Sequence, residues 1–194
     1  MPNMLWEYMT VVFDESGFPK EASKLTILRT NSCVCQREES LQATSLFRYE
    51  VGTGIGEFYT DARPEVYRGR LSLSSGDLLG MLQSRGVSVV VVPLGKGNRA
   101  LGKRLIMGLP CDGFEVQMGA DQVLRKWVHS GETEVFSELR VGQRVAAYTA
   151  LVRLSPPTKE DRAKLEIPRH LPVKQVSTLQ FLRLVSGGKD VKID

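Results

Sequence analysis

Apolar and polar side chains alternate along residues 4–13 and 22–30, on either side of Asp14-Glu15-Ser16-Gly17. The pattern predicts a β-hairpin at the start of the chain. Residues 45–51, 55–60 and 66–73 repeat the alternation, with Gly52, Gly54 and Gly56 marking a bend or bulge. The spacing then changes. Leu78, Leu79, Met81 and Leu82 make one stripe behind Ser75 and Asp77, which predicts a capped helix ending at Gly86. Val87-Ser88-Val89-Val90-Val91-Val92 follows, apolar on both faces, as a central strand is.

Further along, residues 99–107 read as a short basic helix and residues 114–118 as a strand. Residues 120–129 read as a second good helix, burying Val123, Leu124, Trp127 and Val128 with Arg125 and Lys126 outward. Residues 135–139 and 144–154 read as strands, and a proline-bounded arm, 155–172, carries a helix capped by Thr158 with Asp161 three residues on. A last strand spans 176–185 and the tail, 186–194, frays. Strands outnumber helices without alternating with them. The expectation is a single α+β domain, 1–194: a mainly antiparallel sheet with three to four short helices packed on it.

Composition adds little. Of 194 residues, 42% are apolar and 25% charged, ordinary for a folded soluble chain. No apolar run reaches the roughly 18–20 residues of a spanning helix. MPNMLWEYMTVVF carries no basic leader, so an intracellular protein is expected rather than a secreted one. Cys33, Cys35 and Cys111 are odd in number, and Cys33 and Cys35 are too close for an unstrained bridge. No disulfide framework, metal site or cofactor is expected, and any role of these thiols is left open.

Charge changes the picture more. Residues 1–60 hold five Lys/Arg against eight Asp/Glu, whereas residues 91–110 hold Lys96, Arg99, Lys103 and Arg104 and no acid. Gly97 to Lys103 fits the spacing of a phosphate-cradling loop. Arg104, however, stands where that loop needs Ser or Thr for magnesium, which speaks against nucleotide hydrolysis. Lys96, Arg99, Lys103 and Arg104 remain as candidates for binding an anionic partner. With no triad or metalloprotease motif around His129 or His170, a non-enzymatic role is expected, though an active site assembled from distant residues stays open. Leu139 to Val145 resembles the entry strand of an oligonucleotide-binding barrel, with Tyr148 and Phe181 as candidate base-stacking residues.

Arg48 to Val51, then Ser75 to Leu82, then Gly95 to Met107 together resemble the core of rhabdovirus matrix proteins. The likeness covers about a third of the chain and lacks that family's disordered basic N-terminus and Pro-Pro-x-Tyr motif. It implies a cytoplasmic or virion-associated assembly protein that self-associates and meets an anionic lipid surface or a nucleoprotein. A single-stranded nucleic-acid binder and an unrecognised enzyme are the alternatives.

Overall fold

The computed structural model describes residues 3–71, 99–131 and 133–185. The helix and valine strand expected over 75–92, Lys96 and the tail at 186–194 lie outside these. The described chain forms one sheet of twelve strands: β1 (Met4–Phe13), β2 (Pro19–Arg29), β3 (Cys33–Ser40), β4 (Thr44–Glu50), β5 (Ile55–Thr60), β6 (Arg63–Arg70), β7 (Arg99–Ile106), β8 (Leu109–Gln117), β9 (Gln122–His129), β10 (Thr133–Val141), β11 (Arg144–Ser155) and β12 (Val173–Gln175). Its order is β12-β6-β5-β4-β3-β2-β1-β11-β10-β9-β8-β7. Two antiparallel meanders thus meet where β1 pairs with β11, and β12 joins the β6 edge in parallel.

Two helices accompany the sheet among the described residues, α1 (Lys159–Lys164) and α2 (Thr178–Val185). The α+β expectation of three to four packed helices is therefore corrected: the described residues form one large mixed sheet with two short helices. Residues 99–107 and 120–129, expected to be helical, are β7 and β9; residues 176–185, expected to be a strand, hold α2. Strand β3 was not anticipated. Its sequence, CVCQREES, hides one apolar face behind charged neighbours.

Register fixes two faces, since side chains alternate along each strand. One face carries Trp6 and Tyr8 of β1, Leu25 and Ile27 of β2, Gln36 of β3, Phe47 of β4, Phe58 of β5 and Tyr67 of β6. Phe181, Leu182 and Val185 of α2 close over its β4–β6 part. The other face carries Leu5, Leu28 and Cys35, covered by Leu165 just after α1, and then Leu46 and Val66, covered by Ile167. Between these two coverings β12 pairs along β6. The arm therefore crosses from one face of the sheet to the other around the β6 edge.

Local chemistry places both helices. Thr158 and Asp161 form the expected capping box, and Asp161 also accepts two hydrogen bonds of 2.9 Å from Arg153 of β11. That pairing, with the Thr158 N–H added, holds the Asp161 carboxyl well below the usual carboxylate range. A depressed carboxylate contributes its full stability above its unfolded value and loses it as pH falls from there through the lowered folded value. Asp161→Asn is therefore expected to remove part of the acid sensitivity of unfolding, and Thr158→Ala to cost about 1 kcal/mol through the lost cap, both read by denaturant titration. At α2, Ser177 and Gln180 cap reciprocally: the Gln180 N–H donates to Ser177 Oγ at 3.3 Å and the Ser177 N–H to Gln180 Oε1 at 3.2 Å.

Candidate functional site

On the face that carries Leu5 and Cys35, the middle strands present a row of aromatic rings. Phe13 of β1 lies 5.8 Å from Tyr148 of β11. Tyr148 stacks at 6.1 Å on Phe136 of β10, and Phe136 lies 5.5 Å from Trp127 of β9. Arg104 of β7 covers the Trp127 ring at 5.4 Å, a cation–π distance. Pairing explains the row: Val11 faces Tyr148, and Phe136 faces Trp127. Trp127 needs room, and Gly113 of β8 provides it. A Cβ there would stand 2.8 Å from the indole nitrogen.

A groove of about 410 Å³ opens at one end of the row. Phe13, Phe136, Tyr148 and Val145 give it an apolar floor, Gly17 of the first hairpin borders it, and Glu138 and Arg144 supply its charge. The Arg144 guanidinium donates to the Asp14 carbonyl, tying the hairpin turn to β11. Glu138 is held in place by Arg125 at 3.4 Å and Arg140 at 3.3 Å. Its ladder continues outward through Arg125–Glu115 at 2.8 Å and Glu115–Arg99 at 3.0 Å. The hydrogen bond from Arg125, aided by Arg99, keeps the Glu115 carboxyl below its usual range.

These contacts settle where the expected cationic residues stand. Arg99 is a member of the ion ladder, Lys103 points to the opposite face beside Asp112 at 3.9 Å, and Arg104 lies on Trp127. The structure does not bring these three together as one projecting group. Nor does it bring Tyr148 and Phe181 together. Tyr148 belongs to the aromatic row, whereas Phe181 is fully buried under α2 on the other face. Phe13, Phe136, Glu138 and Arg144 went unrecognised in the sequence. Their strands carried a signal, but which residue faces which across strands depends on register. Among the described residues no group of three or more His, Cys, Asp or Glu side chains comes together as a metal site.

No family model matches the chain, and no curated protein matches it. Solved structures do. The chain is similar to PNGF-II at a TM-score of 0.53 and 6% identity, over 98% of this chain and 34% of that one. It is also similar to a chain of the Pseudomonas aeruginosa MucA/MucB complex, at a TM-score of 0.50 and 13% identity over 90% of this chain and 58% of that one. The sheet is built like theirs. A looser likeness, at a TM-score of 0.32 and 9% identity, is to a putative outer membrane lipoprotein-sorting protein domain from Vibrio parahaemolyticus, over 84% of this chain and 90% of that one. The chain spans about a third of PNGF-II and somewhat over half of the MucA/MucB chain.

These neighbours correct the resemblance to rhabdovirus matrix proteins: the architecture is the MucB kind of sheet. The assembly role on an anionic surface, the nucleoprotein and nucleic-acid readings, and the cytoplasmic or virion-associated location are set aside with it. No helix among the described residues is long and apolar enough to cross a membrane.

Proposed function

We propose that this chain is a binding protein, acting without catalysis, which receives the acyl chain of a lipid or lipidated molecule along the aromatic row. The observation that carries the reading is the groove itself, with three aromatic walls and about 410 Å³ of room. That volume lies within the range of small-molecule sites, which are mostly apolar with a few fixed polar groups. Phe13, Tyr148 and Phe136 follow one another along the floor, a shape suited to a chain rather than a compact ring system. Arg144 at the groove supplies a partner for an acidic head group.

The test uses a fluorescent long-chain fatty acid and the Trp6→Phe variant, which leaves Trp127 as the one tryptophan donor. Saturable energy transfer is expected. Phe136→Ala and Tyr148→Ala are each expected to weaken binding about tenfold, equivalent to about 1.4 kcal/mol. Unchanged affinity in both variants refutes the reading. A second reading, an apolar segment of a partner protein in the same groove, is favoured by MucB being solved in complex with MucA. It predicts displacement of the probe by a phenylalanine-bearing peptide and not by unlabelled fatty acid.

A further inference from the structure

Cys33 and Cys35 occupy alternate positions of β3, so both side chains leave the same face of the sheet. Their sulfurs stand 3.9 Å apart and both thiols are free. A disulfide needs about 2.05 Å between sulfurs. Two metal–thiolate bonds of about 2.3 Å, set in line, need about 4.6 Å. The observed separation lies closer to the second. We infer that Cys33 and Cys35 form a two-coordinate site for a soft monovalent cation of the copper(I) or silver(I) class.

Three features of the surroundings support this. Leu5, Leu28 and Leu165 pack around the pair, giving the apolar cover that protects a thiolate-bound ion from water. Cys33 is only half-buried, which leaves a way in. Arg48 of β4 sits directly opposite Cys35 in the register; its Nη2 pairs with Glu50 at 2.7 Å, and its buried Nε has no hydrogen-bond partner. Binding releases one proton from each thiol to solvent and forms two sulfur–metal bonds, leaving a bis-thiolate complex with one net negative charge. The guanidinium across the strand, which also serves Glu50, offsets part of that charge. The ion has to displace both thiol protons, so uptake strengthens with pH. Two sulfurs alone select soft ions that accept linear coordination, and zinc, which takes four ligands, is not expected to stay.

The experiment presents copper(I) to the reduced protein under anaerobic conditions, against a chromophoric copper(I) chelator. The chain is expected to withdraw one equivalent. Cys33→Ser is expected to lose at least tenfold in affinity, about 1.4 kcal/mol, with its circular dichroism unchanged because the side chain is half-exposed. Cys111→Ser lies outside the pair and is expected to bind as the parent does. Cys35→Ser provides a second loss variant where it folds. Withdrawal by Cys33→Ser equal to the parent, dependence on Cys111, or equal retention of zinc overturns the inference. The outcome is separate from the groove: Phe136→Ala leaves copper(I) uptake intact if the two sites are as described.

Discussion

Replacing Lys126 with methionine is expected to destabilise the protein by about 3–5 kcal/mol, which for a chain of this length is a fall of roughly 10 °C in Tm. Lys126 Nζ lies 2.9 Å from Glu134 Oε2, with side-chain exposures of 3% and 1%. The pair sits on the Tyr8 face: Lys126 faces Ser137, Ser137 faces Thr149, and Thr149 bonds Thr10 at 2.9 Å. Glu134 reaches Lys126 because β10 bulges between Glu134 and Phe136. Its other oxygen, Oε1, has no partner. Burial costs the Glu134 carboxylate more than Lys126 and Ser137 return, so its carboxyl lies above the ordinary range.

The sign of the pH effect follows from that shift. A folded carboxyl raised above its unfolded value keeps a proton that the unfolded chain releases, so stability declines as pH climbs from the ordinary carboxylate range through the raised value. Lys126→Met leaves burial unopposed, and the decline should deepen and reach higher pH. Replacing both partners, Lys126→Met with Glu134→Leu, removes the desolvation cost along with the attraction. The double variant is expected to be near neutral or up to about 4 kcal/mol more stable than the parent. Denaturant melts across pH decide it: a double variant as unstable as Lys126→Met alone would show that the ion pair is not the source of the effect.

Lys126 also shows why part of the fold escaped the sequence. In QVLRKWVH, the apolar positions Val123, Leu124, Trp127 and Val128 fit a helical stripe, and a lysine between them reads as solvent-facing. As a strand, β9 has two useful faces, and the one with Lys126 is buried because Glu134, paired with Val128 beyond the bulge, reaches its ammonium. A long-range charge partner overrides local spacing, and nothing local reports it. At α2, by contrast, the signal is local. Ser177-Thr178-Leu179-Gln180 is a capping box in plain view, and Phe181, Leu182 and Val185 follow at helical spacing. The same reasoning succeeded at Thr158 and Asp161, where prolines isolated the signal. The first hairpin was legible too, since Asp14 Oδ1 accepts from Ser16 and Phe18 while Gly17 takes φ 83°, both properties of the residues themselves. For the candidate site, Tyr148 could be picked out as an aromatic in a strand. That Phe13 and Phe136 flank it is a property of three strands paired in register, two of them far apart in sequence.

At the seat of α2 a single methyl group would meet a fully buried ring. Gly56 of β5 and Gly69 of β6 face each other across the strands, and together they form the floor under Phe181. A Cβ on Gly69 would stand 2.8 Å from both Cβ and Cγ of Phe181; one on Gly56 would stand 2.9 Å from its ring. Phe181 is fully buried against Phe47, Tyr49, Phe58 and Tyr67, so the helix has little freedom to retreat. Gly69→Ala is therefore expected to cost about 1–3 kcal/mol by overpacking, and Phe181→Ala about 3–5 kcal/mol by the cavity it leaves. The two costs should not add. With the ring gone, the new methyl fills vacated space, and the double variant should be more stable than the sum of the single losses by about 1 kcal/mol or more. Urea melts of the three variants measure this coupling. Strict additivity would mean that α2 does not rest on Gly69, and the described crossing of the arm from one face of the sheet to the other would lose its anchor.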